Sequence, residues 1–407
     1  MLFVAEAILL HVDKMKGNIM NVYELAKLEK DYLINLRRKI HSNPELSWQE
    51  YKTCDLICEQ LENMGVKYEN VCGTGVIATI EGSRKNCVIG LRADMDALAI
   101  TEAVDCEYKS KNDGVMHACG HDSHVAMLLG AAKILYGNRD KLNCTVKLIF
   151  QPAEEIIQGA KEIVNCDVIN DINSIMAVHI WSDLAYGKIS VESGPRMASV
   201  DNIFITVKGK SGHGSMPHQT IDAIVTASSI VMNLQTIASR TVNPLEPVVI
   251  SIGTFNAGTA SNIIANTAQL TGTVRCFNKE LRKQLPDMIE NIVSNVAKAY
   301  GANYDYEYKC CTGPTINDKK CSELALNSVK KILGEDAIVE MEKTMGGEDF
   351  SYYLEKIPGC IAFVGCRNEE TSKFWPHHHE KFDIEENAMI NGTALMVQYV
   401  LETQNEL

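Results

Sequence analysis

The sequence has no excess of basic residues and no dense run of lysine or arginine. Its 39 Lys and Arg are outnumbered by 52 Asp and Glu, which gives a formal net charge of −13 over 407 residues. Nucleic-acid-binding surfaces depend on clustered positive charge, so this balance argues against such a partner. Low-complexity tracts are also absent, and the 46% of hydrophobic residues is typical of a soluble globular protein.

A disulfide framework is lacking although the chain contains 14 cysteines. Only Cys310 and Cys311 are adjacent, and the others are scattered singly through apparent strands and helices. In a chain of this length, scattered cysteines favour free thiols in a reducing compartment. We therefore expect a cytoplasmic protein.

A membrane-spanning segment is not predicted either. The apolar N-terminal stretch ends near Leu10, lacks a preceding basic region and is too short to cross a bilayer. We expect residues 1–19 to be a poorly integrated extension, with Met20 as an alternative start. A chain of 407 residues is long for a single core, so two domains are expected.

The order of apolar segments predicts an α/β fold with an inserted domain. Predicted strands alternate with helices, which indicates a mostly parallel sheet with helices on both faces. Those strands are residues 75–81, 88–92, 145–150, 174–179 and 360–365, and the helical segments are 22–40, 49–64, the run after His124 and 320–357. Between them the order becomes βαββαβ, the ferredoxin-like plan. We predict a catalytic domain in two parts, 20–194 and 313–407, and an inserted domain, 195–312.

The densest group of potential metal ligands lies at residues 117–124. It contains His117, Cys119, His121, Asp122 and His124, on a loop that enters an apolar helix. Imidazole and thiolate together suit a divalent transition metal of intermediate softness. A cysteine and histidines near a helix start are also compatible with plain packing, so this cluster alone leaves both interpretations open.

Polar side chains follow three of the buried strands. Glu154 and Glu155 come after one, His179 after the next along the chain, and Asp94 and Asp96 after a third. Ligands and catalysts of open α/β sheets lie at the carboxyl ends of strands. One carboxylate of an adjacent pair can bind metal while the other accepts a proton from water, and Asp94 and Asp96 suit support of a metal-binding histidine. Solvated helix starts, a structural histidine and turn aspartates are the alternatives.

Further candidates lie outside these strands. Three histidines at 377–379 are followed by an ordered-looking segment, so at least one is expected to be a ligand. The inserted domain carries His213 in a glycine-rich loop that lacks the phosphate-loop spacing. Arg275 could bind a carboxylate or form a surface salt bridge, and Asn262 could bind a carbonyl oxygen or make a turn.

Six motifs follow one another between His41 and Asp383. They are His41-x-x-Pro44-Glu45-Leu46, Leu91-Arg92-Ala93-Asp94-Met95-Asp96, His117-Ala118-Cys119-Gly120-His121-Asp122, Gln151-Pro152-Ala153-Glu154-Glu155, Gly212-His213-Gly214-Ser215-Met216-Pro217-His218 and Gly347-Glu348-Asp349-Phe350. In this order and spacing the chain resembles the metal-dependent amidohydrolase family of zinc-peptidase-like dinuclear enzymes. That family contains N-acyl-amino-acid amidohydrolases, hippurate hydrolases and auxin-conjugate hydrolases.

The resemblance implies two divalent metal ions per subunit, zinc, manganese, cobalt or nickel, and a set of ligands. The implied ligands are Cys119, His121, Glu155, His179 and His378, and Glu154 is the implied general base. His378 is preferred to its neighbours because the family's pattern His-x-x-x-Phe-Asp fits it with Phe382 and Asp383. Asp94 and Asp96 remain candidates for outer support.

The resemblance also implies how the inserted domain works. In this family it forms a lid and mediates dimerisation, so a homodimer or homotetramer is expected. His213 would then complete the active site of the partner subunit. Asn262 and Arg275 match lid positions that contact substrate.

The implied reaction is metal-dependent hydrolysis of the amide bond of N-acetyl- or aroyl-amino acids. Deacetylation of N-acetyl-diaminopimelate in lysine biosynthesis, within the same family, is the alternative that substrate profiling would separate. A non-catalytic binding protein on this fold would be favoured by loss of a ligand or of Glu154, and none is lost. A disulfide-stapled secreted binder is a third possibility, which a thiol titration tests.

Overall fold

The structure is a computed structural model that describes residues 21–407. The expected extension at residues 1–19 and the alternative start at Met20 lie outside the described residues.

Fourteen free cysteines are found, and none of them is in a disulfide. Within residues 21–407, no helix combines the length and the apolar character needed to cross a bilayer.

Fifteen strands and ten α-helices are assigned in residues 21–407. The strands are β1 Lys67–Val71, β2 Gly75–Ile80, β3 Arg84–Asp94, β4 Cys144–Gln151, β5 Ser174–Ala185, β6 Ile189–Ser190, β7 Gly194–Met197, β8 Val200–Lys208, β9 Gly212–His213, β10 Val248–Ala257, β11 Ile263–Ile264, β12 Thr267–Cys276, β13 Asn303–Thr312, β14 Thr315–Asn317 and β15 Gly359–Arg367. The helices are α1 Val22–Leu28, α2 Lys30–His41, α3 Tyr51–Met64, α4 His121–Gly137, α5 Gly159–Val164, α6 Ala223–Thr236, α7 Lys279–Ala299, α8 Lys319–Leu333, α9 Ser351–Leu354 and α10 Ala388–Thr403.

A seven-stranded sheet forms the larger part of the molecule, in the order β1-β2-β4-β3-β5-β15-β6. Its four central strands, β4, β3, β5 and β15, are parallel, and the outer strands pair antiparallel. The parallel part is apolar on both faces, as burial by helices on both sides requires. Helices α1 to α4, α8 and α10 share one core with the sheet, and α5 and α9 belong to a second core. The α/β fold class with helices on both faces is confirmed.

A second, four-stranded sheet has the order β10-β12-β8-β13, and all its pairings are antiparallel. Helices α6 and α7 contribute to its separate core. The chain order β8-α6-β10-β12-α7-β13 is the predicted βαββαβ plan of a ferredoxin-like unit. The segments that lead into and out of this unit pair with each other as β7 and β14. The domain boundaries at 194/195 and 312/313 stay predictions.

Several element boundaries differ from the predictions. The helix expected at 22–40 is two helices, because a tight turn at Glu29 ends α1 before α2 begins. The segment 320–357, expected to be rich in helix, contains α8, the single turn α9 and an irregular stretch at 339–350. Helix α10, which is almost entirely buried, was not predicted because its apolar residues surround the whole helix and show no single face.

Candidate metal centre

The predicted site residues meet at one edge of the seven-stranded sheet. Asp94 ends β3 and is in register with Gln151, which ends β4 and precedes Glu154 and Glu155. Cys119 and His121 lie where the loop enters α4. The strand holding His179 does not end there as predicted, because β5 continues to Ala185. His179 still reaches this edge, because its neighbour β3 stops at the same level.

The five predicted ligands form overlapping groups of potential donors. Within residues 21–407, the ligand atoms lie within 4.8 Å of one another in each of three groups: Cys119 with His121 and His179, Cys119 with Glu155 and His378, and His121 with Glu154 and Glu155. A thiolate, three imidazoles and a carboxylate are the donor types that zinc and related divalent metals bind. The structure therefore brings the predicted ligands together, and their role as ligands stays a prediction.

Two buried donor atoms in this centre have no hydrogen-bond partner within the described residues. They are His121 Nε2 and Glu155 Oε1, which face each other at 3.8 Å. Cys119 Sγ lies 3.7 Å from His179 Nε2, and His378 Nε2 lies 3.5 Å from Glu155 Oε2. Buried polar atoms are normally paired, so lone pairs that converge without bonding are the arrangement a bound cation requires. The residues present fit a divalent metal.

Hydrogen bonds fix which histidine nitrogens face the centre. His121 Nδ1 lies 2.9 Å from the Asp96 carbonyl oxygen and 3.3 Å from Asp96 Oδ1, which leaves Nε2 free to bind. His179 Nδ1 lies 2.6 Å from the Ile180 carbonyl oxygen, which leaves Nε2 of His179 free to bind. Such contacts orient metal-binding imidazoles. Asp96 therefore has the position predicted for outer support.

Asp94 contacts a histidine that is not among the predicted ligands. Its Oδ1 lies 2.5 Å from His124 Nδ1, whereas His121 Nε2 is 3.8 Å away. His124 Nε2 accepts the Ile180 N–H at 2.8 Å, so both nitrogens of His124 are engaged within the protein. Although His124 clusters with Asp94 and His121, it has no free lone pair for a metal. Its contribution to the centre is structural, because it binds the backbone of β5 at Ile180, directly after His179.

Among the three consecutive histidines, His378 alone reaches the centre. Its backbone is left-handed, with φ 63°, and its N–H donates to the Ala118 carbonyl oxygen at 2.8 Å. That bond fixes His378 next to the loop containing Cys119. His377 is turned inward and accepts the Ser182 N–H, and His379 stacks on Trp375 with ring centroids 4.4 Å apart.

Glu154 lies in a buried cluster of acidic groups. It is grouped with Glu348 and Asp349, and the Asp349 N–H donates to Glu154 Oε1 at 3.3 Å. Burial, followed by the negative charges of Glu348 and Asp349, raises the pKa of Glu154 well above its usual value. A carboxyl group with a raised pKa suits proton transfer near neutral pH, since it can both accept and return a proton.

One buried arginine balances these acids. Arg92 donates to Asp94 at 2.6 Å, to Glu348 at 3.1 Å and to Asp349 at 2.9 Å. Asp349 also accepts from the Gln151 side chain at 2.9 Å. Arg92, Glu348 and Asp349 were present in the quoted motifs, but the sequence assigned them no role. Their occurrence in those motifs is the sequence feature from which a role could have been inferred.

A second buried ion network contacts the segments that carry His121 and His378. Arg37 is fully buried and donates to Asp122 at 3.0 Å, Asp383 at 2.6 Å and Glu386 at 3.1 Å. Asp122 directly follows His121, and Asp383 lies in the segment after His378. His41 lies between Asp122 and Glu102, at 2.8 and 3.2 Å. Burial alone would lower the pKa of His41, but these two carboxylates raise it to about 9.

The predicted lid residues do not join the centre of their own chain. His213 is exposed and pairs with Ile263 where β9 meets β11, and the adjacent Asn262 carbonyl accepts the Gly214 N–H at 2.8 Å. Arg275 is half-buried, donates to Thr273 at 3.0 Å and forms no ion pair within residues 21–407. Burial lowers the pKa of Arg275. A side chain at Gly347 would lie 3.4 Å from Arg275 Nη1, so Arg275 borders the segment that leads to Glu348.

The fold and the donor set together define a metallopeptidase-like hydrolase. The model of peptidase family M20/M25/M40 matches residues 90–402, and the chain belongs to this family. Its resemblance to the amidohydrolases is thereby confirmed, and the chain is a hydrolase that acts on amide bonds.

Individual relatives are similar over almost their full length. Thermostable carboxypeptidase 2 of Saccharolobus solfataricus is 39% identical over 401 residues, which cover 97% of this chain and 99% of the relative. N-acetylcysteine deacetylase of Bacillus subtilis is 40% identical over 376 residues, covering 91% and 97%. The crystal structure of the Bacillus subtilis YXEP protein, described as a dinuclear metal-binding peptidase of the M20 family, has 36% identity and a TM-score of 0.84, covering 94% of this chain and 100% of that one.

Proposed function

We propose that this enzyme hydrolyses the amide bond of N-acyl amino acids, with N-acetyl- or aroyl-amino acids as substrates, and uses two divalent metal ions. The observation that carries the proposal is the convergence of five donor side chains beside the buried Glu154. The deacetylase relative and the dinuclear structural relative support the substrate class and the number of metals. Family membership favours this over the binding-protein alternatives.

Cys119, His121, Glu155, His179 and His378 would hold the ions. Cys119 is the donor shared by the group that contains His179 and the group that contains Glu155 and His378. When bound, divalent ions polarise the carbonyl group of the substrate and lower the pKa of water. A thiolate donor favours zinc among zinc, manganese, cobalt and nickel, although availability in the cell also decides which metal is bound.

Glu154 would transfer the proton. It would take a proton from water as the water attacks the carbonyl carbon, and deliver it to the nitrogen of the departing amino acid. Its carboxylate is held for this role by the Asp349 N–H. Arg275, a half-buried cation without an ion pair in the described chain, would bind the carboxylate of the substrate. Asn262, which neighbours the His213 loop, would also contact substrate.

A decisive test is hydrolysis of a substrate panel before and after chelation. The panel contains N-acetyl and N-benzoyl amino acids, N-acetyl-diaminopimelate and short peptides, since one relative is a carboxypeptidase. We expect about two metals per chain and N-acyl amino acid cleavage that chelation abolishes and added metal restores. Preference for N-acetyl-diaminopimelate would select the alternative, and preference for peptides would overturn the proposed substrate class.

We also propose that the ferredoxin-like unit forms a homodimer, or pairs of dimers in a tetramer. Helix α6 exposes Ile224, Val225 and Met232, with exposed fractions of 41%, 48% and 70%. Within residues 21–407, strand β10 is an open edge of its sheet, and it exposes Phe255. An apolar helix face beside an unpaired strand edge is suited to contact with a second copy. His213 would then reach the active site of the partner and stabilise the oxyanion there.

Mixing two inactive variants would test this sharing of the active site. Glu154→Gln and His213→Ala each remove one contribution, so each homodimer should have low activity. Subunit exchange in an equal mixture should restore about a quarter of wild-type activity, since half of the dimers are mixed and each has one intact site. Glu154→Gln mixed with His121→Ala is the matched control and should stay inactive. Equal failure of both mixtures, once subunit exchange has been verified, would show that His213 does not act in the active site of the partner.

The proposed location is the cytoplasm. All fourteen cysteines are free, including partly exposed ones such as Cys310 and Cys106. Free thiols in this number persist in reducing compartments.

A further inference from the structure

Two cysteines that are distant in sequence lie side by side away from the metal centre. The sulfur atoms of Cys72 and Cys166 are 3.4 Å apart, although 94 positions separate the residues. Cys72 lies in the hairpin loop between β1 and β2, and Cys166 follows helix α5. Both side chains are partly exposed. Neither residue has a role in the proposed hydrolysis.

The surroundings of the pair leave it accessible to small reagents. Cys72 has a left-handed backbone with φ 47°, and Gly73 follows it at the tip of the hairpin with φ 82°. Nothing lies within 4 Å of the position that a side chain at Gly73 would occupy, so the tip borders open space. Cys166 is within weak hydrogen-bonding distance of the Glu162 carbonyl oxygen, at 3.4 Å. A hairpin tip is also able to shift locally, which lets the sulfurs approach each other.

We propose that Cys72 and Cys166 form an oxidisable dithiol, a modification site that glutathione disulfide or a similar small disulfide converts into an intramolecular disulfide. The sulfurs need to approach by roughly 1.4 Å to reach the bond length of a disulfide. The thiolate of Cys166 attacks the disulfide of glutathione, forms a mixed disulfide and releases one glutathione. The thiolate of Cys72 then attacks that mixed disulfide and releases the second. Two protein thiols are oxidised and one glutathione disulfide is reduced to two glutathiones.

The proposed order of attack rests on the environment of Cys72. Burial, reinforced by the neighbouring thiol of Cys166, raises the pKa of Cys72 to about 12. We therefore assign Cys72 the second step. It attacks the mixed disulfide on Cys166, whose sulfur already lies beside it.

The disulfide would join two segments that support the loop of Glu154. On one side, Thr74 donates to Glu50 at 2.7 Å, and Glu50 accepts the Ala153 N–H at 2.9 Å. On the other, α5 begins at Gly159, shortly after Glu155. Because Glu50 already links the hairpin to this loop, closing the disulfide preserves the native arrangement. We expect turnover to be retained and the folded state to be stabilised, since the bond closes a long loop.

Peptide mapping tests the proposal directly. The metal-loaded wild-type protein is incubated with glutathione disulfide, its remaining thiols are alkylated, and peptides are mapped without reduction. We expect a cross-link between the peptides of Cys72 and Cys166, its reversal by dithiothreitol, and a rise in thermal midpoint of about 5 °C. Cys72→Ser should instead retain glutathione on Cys166. Cys310→Ser, which removes a more exposed thiol, should leave the cross-link unchanged.

Two results would overturn the proposal. One is alkylation of Cys72 and Cys166 to the same extent with and without glutathione disulfide. The other is stable glutathione on both residues of the wild-type protein without a cross-link, which would show that the sulfurs cannot meet. Both results come from the wild-type protein, so they do not depend on whether a variant folds.

Discussion

Replacing Glu154 with glutamine should lower turnover by about 10²–10⁴-fold and leave the metal content unchanged. Glutamine matches glutamate in shape but cannot accept the proton, so substrate binding and the surrounding packing should persist. The Asp349 N–H that now contacts Glu154 Oε1 can still donate to the amide oxygen of the variant. The measurements are steady-state kinetics and metal analysis of the same preparation.

Glu155→Gln is the matched control, because it makes the same change one residue further along the chain. Glu155 contacts His121 and His378 in the donor cluster, so this variant should lose metal together with activity. If Glu154→Gln kept near-wild-type turnover, the general base would have to be another buried carboxylate, and Glu348 in the same cluster is a candidate. Loss of metal in both variants would instead make Glu154 a ligand.

Arg37→Met should destabilise the metal-free protein by about 3–5 kcal/mol. Arg37 is fully buried, and its removal would take away the one cation that Asp122 and Asp383 share, leaving only His41 beside Asp122 and Lys373 beside Asp383. Both carboxylates now have pKa values far below their usual range, held down in part by Arg37. Urea unfolding in the presence of chelator measures the change without the contribution of metal binding.

Arg38→Met tests whether burial is the reason for the large loss of stability expected from Arg37→Met. Arg38 is the next residue on the same helix and shares Glu386 with Arg37, but its side chain is 42% exposed. Its loss should cost about 1 kcal/mol or less, as is usual for exposed ion pairs. Equal urea midpoints for the two variants would contradict the importance of the buried network.

The fold was predictable because its signals are local. Alternation of buried strands with helices indicated the α/β layer, and the βαββαβ order along the chain indicated the second sheet, which the structure contains. The incorrect predictions concerned the ends of helices and strands, which depend on contacts with distant parts of the chain or on turns without a sequence signal. The turn at Glu29 carries no proline or glycine, and the extension of β5 to Ala185 depends on pairing with β15.

The candidate site was predictable to the extent that its residues follow strands or recur in the motifs. Asp96, Glu155 and His179 could be named because strand ends of one sheet lie close together. The partners of Arg37 could not, because Asp122 and Asp383 are 85 and 346 positions away and no local pattern connects them. The choice of His378 among three histidines also depended on resemblance, since periodicity does not distinguish adjacent residues.

The left-handed backbone of His378 affects how substitutions at this position are interpreted. A residue with a β-carbon held at φ 63° carries a conformational penalty of about 1–2 kcal/mol, and asparagine and glycine tolerate that geometry best. Alanine at 378 would therefore remove the imidazole and also favour a change of backbone shape that draws the chain away from Ala118. An alanine scan would overstate the chemical contribution of this side chain. Asparagine keeps the turn and isolates the loss of the imidazole.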